Sequence, residues 1–267
     1  MSFRIQNNVE ALGALRNLDA TEAGTSKSMA RLSSGYRINS AADDAAGLSI
    51  SERMRGQIRG LAQAQLNAAD GISLVQTAEG ALDAVHSMLQ RTRELAVQYA
   101  NGSLSTTDRT AIQSEVSLLA EEVERIGSST AFNGINILNT TGTITFQIGA
   151  NDGEVVTVPT ISLGGALGTA AFSLGSTTDI AEIDAAIEAV SAQRAKFGAT
   201  QNRMEYASQS ISTYHENLVS AESRIRDVDM AAEVVNKTRL QILQQAGTAA
   251  LAQANQSKQG VLSLLQN

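Results

Sequence analysis

"VSAQRAKFGATQNRMEYASQSISTYHENL", residues 190–218, places Val190, Phe197, Met204, Ile211 and Leu218 at intervals of seven. Apolar residues at this step line one stripe of an α-helix that supercoils on a partner. The step continues through Ile225 and Ala232, and Ala207, Tyr214, Ala221, Val228, Val235 and Ile242 hold the companion position three residues on. We read one long helix with an a/d seam through the C-terminal third. Such a seam is exposed unless another helix lies along it, so the fold depends on whether the chain supplies one.

It does. Between about Asp44 and Ala100 there is no proline, and Ile58, Leu61, Ile72, Val75, Leu82, Val85, Leu89, Ala96 and Tyr99 share one face before Asn101-Gly102 stops the helix. A helix of that length spans roughly 85 Å, far beyond the usual globular element. A third helix follows in "STTDRTAIQSEVSLLAEEVERIG": Ser105 and Asp108 have capping-box spacing, Ile112, Val116, Leu119, Val123 and Ile126 form a stripe, and Gly127 is the expected end. Three matching seams predict a mainly α fold, an elongated coiled-coil-like bundle.

From about 130 to 178 the pattern changes. Ile144, Phe146 and Ile148 alternate with polar residues, and Asn151-Asp152-Gly153 is a turn signal, so a small β-hairpin region is predicted between helices. Residues 1–42 and 222–267 return to helical periodicity, with Val9, Leu12 and Leu15 at one end and Val228, Ala232, Val235, Ile242, Ala246 and Ala249 at the other. Their apolar faces are thin, mostly alanine against leucine and valine, and order is expected to come from packing on other copies.

Composition narrows the function. The 267 residues carry a net charge of -7, no cysteine, no tryptophan and one proline. An acidic chain without a basic stripe is a poor match for nucleic acid. Missing cysteines remove disulfides, thiolate nucleophiles and Cys-ligated metals. No apolar run reaches the roughly 18 residues of a membrane span, and the first twenty residues lack the pattern of a cleavable secretion signal, so membrane insertion is not expected.

Motifs for chemistry fail one by one. His215-Glu216 begins like HExxH, but the second histidine position is Val219. "GLSIS" at 47–51 ends in serine and is not GxSxG. Asp43 and Asp44 are neighbours on the chain, and consecutive helix positions point about 100° apart; "NSAADDAAG" reads as helix-start capping or an ion pair. We expect no catalytic residue, cofactor or metal site. One feature of "LQRTRELAVQYANG", residues 89–102, does suggest a surface: Arg91, Leu95 and Gln98 lie at i, i+4 and i+7, roughly 90° from the Leu89/Ala96 seam. Leu95 is therefore expected to make a lateral contact, the plainer alternative being a core-edge leucine beside solvated charges.

These motifs together resemble one family. "RLSSGYRINSAADDAAGLSISERMRGQIRGL" (31–61), "LNAADGISLVQTAEGAL" (66–82), "LQRTRELAVQYANG" (89–102), "FNGINIL" (132–138), "ESRIRDVDMAAEVV" (222–235) and "LAQANQSKQGVLSLL" (251–265) follow in order the signature of the bacterial flagellins. The resemblance implies an inner-core domain in which N- and C-terminal helices pair (1–42 with 222–267) and an outer core at 43–221. The short middle implies a form with only these core domains. It implies a structural subunit without enzymatic activity, exported unfolded through the flagellar type III channel. Outside the cell it would polymerise with identical copies into the swimming filament. A hook-filament junction protein is the alternative. Implied partners are the export chaperone, the filament cap and hook-filament junction proteins, and, for released monomer, Toll-like receptor 5 and NAIP receptors of animal hosts. Gln90, Arg91, Glu94, Leu95, Gln98 and Glu115 match the segment for subunit packing and receptor contact. Val228, Val235, Ile242, Val261, Leu262, Leu264 and Leu265 match the inner-core assembly and chaperone segment.

Overall fold

The structure, a computed structural model, describes residues 8–164, 174–175 and 179–265, with side chains described as far as 257. Its elements are α1 (Val9–Ser34), α2 (Ala45–Tyr99), α3 (Thr106–Ser129), β1 (Ala131–Phe132), β2 (Ile135–Asn136), β3 (Asn139–Gln147), β4 (Val155–Ser162), α4 (Asp179–Arg226) and α5 (Met230–Leu265). Contacts divide the chain into two compact units, Met1–Gly56 with Leu218–Asn267, and Gln57–Asn217.

The second unit holds the larger core. From α2 come Leu74, Val75, Ala78, Leu82, Val85 and Leu89; from α3, Ile112, Val116 and Val123; from β4, Val156 and Val158; from α4, Val190, Phe197 and Met204, all buried. Burying each large side chain of this kind stabilises by about 1.5–3 kcal/mol. The seven-residue step of α4 is thus a true seam from Val190 to Ile211. Close approach along it requires small residues: a Cβ at Gly71 would meet the Met204 sulfur at 2.8 Å and Phe146 at 3.3 Å. The capping box of α3 forms as expected, Ser105 Oγ accepting from the Asp108 amide and the Asp108 carboxylate accepting from Ser105. Gly127 does not end α3, which runs on to Ser129; its missing Cβ instead admits Leu163, at 3.3 Å from where that atom would lie.

Two hairpins complete this unit. Asn133 (φ 50°) and Gly134 (φ 79°) close β1 on β2 with both turn residues left-handed, the turn that matches strand twist. The Asn151-Asp152-Gly153 turn joins β3 to β4, with Gly153 at φ 86° and Ile144 opposite Val158, Phe146 opposite Val156. Ile144, Phe146 and Ile148 pack on the helical core. Asn67 Nδ2 donates to the Gln147 carbonyl (3.0 Å) from α2, and Gln193 Nε2 to the Pro159 carbonyl (2.9 Å) from α4, so helices on both sides hold the hairpin.

The first unit rests on an antiparallel pair, α1 and α5. Asn8 Nδ2 donates to the Ala254 carbonyl at 3.1 Å, Gly247 faces Leu18, Gly24 faces Leu240, and Ser28 Oγ donates to the Glu233 carbonyl at 3.4 Å. Glu233, Leu240, Gly247 and Ala254 are seven apart and make the seam. The expected continuous helix is therefore corrected in two respects. It breaks at 227–229, where Asp229 Oδ1 accepts from the Ala232 amide and caps α5. The covered stripe also moves: Leu218 and Ile225 are only half-buried before the break, and beyond it Ala232 is exposed while Glu233 is buried. Each new helix start lets the buried face be chosen by its new neighbour, here α1.

Candidate assembly surfaces

On α2, Gln90, Arg91, Glu94 and Gln98 are exposed, and Glu115 is exposed on α3. Arg91 joins the two helices: Nε and Nη2 donate to Glu115 Oε1 at 3.2 and 3.0 Å, and Nη1 to Glu94 Oε2 at 3.1 Å. The Glu94 and Glu115 carboxylates raise the Arg91 pKa above its ordinary value. Side chains here are about half exposed, so solvent screens the pairs and their value is positional more than energetic. Gln90 Nε2 lies 2.9 Å from His86 Nε2.

Leu95 does not belong to that surface. It is only 2% exposed and sits in the same cluster as Ile112, Val116 and Ala120 of α3, which corrects the expectation that it makes a lateral contact. The reason is that α2 has two helical neighbours. Arg91 reaches α3 through Glu115, while on the other side Arg93 Nε bonds Asp184 Oδ1 of α4 at 2.6 Å. Buried positions therefore cover an arc of roughly 160° at about 100° per residue, with Leu95 at its α3 edge. A stripe drawn for one partner places Leu95 outside it; two partners widen the stripe to include it.

The second surface lies on α5. Val234, Val235, Ile242 and Leu243 are 49%, 69%, 60% and 48% exposed, and with Thr238 and Arg239 they line a shallow apolar depression. Val235 and Ile242 point nearly opposite to the Glu233/Leu240/Gly247 seam. Val228 is half-buried, just before the helix starts. On α1, Val9, Leu12 and Leu15 are 61%, 55% and 43% exposed. Among the described residues Ile38 is the only buried hydrophobic side chain of this unit. Several large apolar side chains of the helix pair thus stay in solvent, and among the described residues few are buried in this unit. Val261, Leu262, Leu264 and Leu265 follow on α5, with side chains that lie outside the described residues.

The acidic pair at the start of α2 does what capping and ion pairing require. Asp44 Oδ1 accepts from the Gly47 amide at 2.9 Å, and Asp43 pairs with Lys27 Nζ at 2.6 Å while accepting from the Asn39 and Ser40 amides. The Lys27 ammonium, followed by those amides, holds the Asp43 carboxyl well below the usual carboxylate range. Both residues are thereby engaged in structure.

Comparison with known proteins agrees with this architecture. Residues 5–143 match the family model for the bacterial flagellin N-terminal helical region, and 180–265 that for the C-terminal helical region. The chain is 49% identical to the flagellin of Halalkalibacterium halodurans over 98% of its own length and 99% of that protein. It is 45% identical to the flagellin of Bacillus subtilis, covering 98% and 100%. The crystal structure of Bacillus cereus flagellin superposes with a TM-score of 0.51 at 30% identity, over 59% of this chain and 94% of that one. Coverage of whole relatives by a chain of this length fits a form reduced to the core: the protein belongs to the bacterial flagellin family.

Proposed function

We propose that the chain is the structural subunit of a bacterial flagellar filament, polymerising with identical copies through the α1/α5 pair. The observation that carries this reading is the second apolar face of α5. A helix with one covered face and a second, opposite face of valines, isoleucine and leucine in solvent has surface left to bury. A contact made by that face on a different patch of the next copy is heterologous, does not close, and generates a helix of subunits. Ordering of the ends is then linked to assembly by mass action.

In this reading the subunit has no catalytic role, reaches the outside of the cell through flagellar export, and meets a chaperone on Val261, Leu262, Leu264 and Leu265 before assembly. The cap and the hook-filament junction proteins contact the two ends of the polymer. Gln90, Arg91, Glu94, Gln98 and Glu115 form a polar face for lateral packing and, in released monomer, for Toll-like receptor 5, with Leu95 supporting that face from beneath; NAIP receptors read the C-terminal leucines. The main test adds purified monomer to short filament seeds in a precipitating salt and images the product. Long tubes are expected. Closed rings, or a single added layer, would overturn the reading. For the receptor face, Arg91→Ala monomer should lose reporter-cell signalling with its helix content intact, and unchanged potency would remove that assignment.

A further inference from the structure

The break between α4 and α5 is not demanded by local sequence. Apolar residues at a seven-residue step pass through it unbroken, Ile211, Leu218, Ile225 and Ala232 on one line, Ala221, Val228, Val235 and Ile242 on the other. A continuous helix and a broken one therefore compete for this segment. What favours the break is contact with the exit of α1. The Arg37 amide donates to the Arg226 carbonyl at 2.6 Å, the Val228 amide donates to the Gly35 carbonyl at 3.0 Å, and Tyr36 and Asp227 form an isolated antiparallel bridge. Gly35, at φ 76°, lets the chain turn out of α1 to reach it. A bridge this short has little stability of its own.

We propose that Arg226 is a latch that selects the broken state, a positioning residue for the two helices it separates. Its guanidinium lies 4.5 Å from the centre of the Tyr36 ring, and Nη1 donates to Glu52 Oε1 of α2 at 2.8 Å. The side chain is 13% exposed, and Nε is buried without a hydrogen-bond partner. Ring and carboxylate, not a full set of hydrogen bonds, hold the group in place. Arg37 Nη2 reinforces the same corner by donating to the Ile225 carbonyl at 2.6 Å. One residue thus ties the exit of α1, the first turns of α2 and the end of α4. The consequence is phase. With the latch closed, α5 restarts with Glu233, Leu240 and Gly247 toward α1 and leaves Val235 and Ile242 outward; with it open, Val235 and Ile242 continue the line of α4. The latch decides which face of α5 is free for a neighbour, and in this respect alone the inference rests on the filament reading.

The test is amide hydrogen exchange on the full chain, free and seeded into filament, followed at Arg37, which is bonded to the Arg226 carbonyl only when the latch is closed. Arg226→Ala should accelerate that amide by about tenfold, and Tyr36→Leu, a gentler change, by a smaller factor, while the amides of α2 within 57–99 stay unchanged. Arg226→Lys should retain the pairing with Glu52 but not the flat stack, and fall between. An Arg37 amide that exchanges freely in the wild-type chain in both states, or that ignores both the Arg226→Ala and Tyr36→Leu changes, overturns the latch. Elongation from wild-type seeds reads its use: Arg226→Ala monomer with normal helix content should add several-fold more slowly, and equal rates would overturn the assembly role. Failure of the wild-type chain to elongate would reject the filament reading, while the exchange result would still decide the latch.

Discussion

Leu95→Ala separates a core leucine from a surface one. The side chain is 2% exposed within the cluster that joins α2 to α3, so truncation removes buried methyl groups and leaves a cavity. Leucine-to-alanine changes at such sites cost about 3 kcal/mol, within a range of about 2–5. With a urea m-value of about 2 kcal/mol/M for a unit of this size, the midpoint of its main unfolding transition should fall by about 1.5 M. The control is Leu118→Ala on α3, where the side chain is 65% exposed and the expected change is within about 0.5 kcal/mol. Far-ultraviolet circular dichroism followed through urea measures both. The two origins also differ in assembly. A cavity loosens the monomer first and slows elongation only as far as it unfolds the unit, whereas loss of a lateral contact leaves monomer stability intact. A midpoint for Leu95→Ala within about 0.25 M of wild type, together with lost elongation, would refute the assignment of Leu95 to the core and restore it to the lateral surface.

Other substitutions probe the remaining surfaces. Val235→Asp, at a side chain 69% exposed, should leave the urea profile of the monomer within about 0.5 kcal/mol of wild type and abolish elongation from seeds; normal tubes would show that this face stays in solvent. Gly71→Ala forces a Cβ to 2.8 Å from the Met204 sulfur and 3.3 Å from Phe146, and thermal unfolding should report about 1–3 kcal/mol of destabilisation, reduced by the flexibility of methionine; an unchanged Tm would mean the helices separate freely there. The pKa of Asp43 is depressed by Lys27 and that of Glu52 by Arg226. Stability from a depressed carboxyl is present above its unfolded value and is lost as pH falls through the folded one. The corner at which Lys27 holds the α1–α2 connection and Arg226 holds the start of α2 should therefore loosen as pH drops below about 4.5, through Glu52 and Asp43. Lys27→Met should remove the Asp43 part of that loss, and a pH profile identical to wild type would contradict it.

Particular residues show where sequence was sufficient. Val190, Phe197, Met204 and Ile211 are spaced for a seam and are buried in one; Ser105 and Asp108 are spaced for a capping box and form it; Ile144, Phe146 and Ile148 alternate as a half-buried strand does and pack by that alternation. Two signals were present in the residues but carry little weight without structure. Asp227-Val228-Asp229 contains a helix cap inside an unbroken apolar repeat, and Asn133-Gly134 is a hairpin turn inside a segment too short for a strand pattern. Each is a one- or two-residue cue set against a longer periodic one. The exposed face at Gln90, Arg91, Glu94 and Gln98 was legible because charge and amide at helical spacing mark solvent. Its boundary with Leu95 was not, since an angle on a helical wheel says which residues are neighbours and not how many helices will cover them.

Sequence by itself determined the kind of element at nearly every described position, the pairing of the two ends in family terms, and the absence of a zinc-protease motif at His215, because spacing and residue type act within a few turns of chain. Tertiary structure decided burial and phase. Leu95 went into the core because α3 and α4 flank α2 on both sides, and Val235 and Ile242 were turned outward because the chain breaks at Asp227 and α5 restarts against α1. Periodicity constrains the faces of a helix, but only the number and placement of its neighbours determine which of those faces lose water.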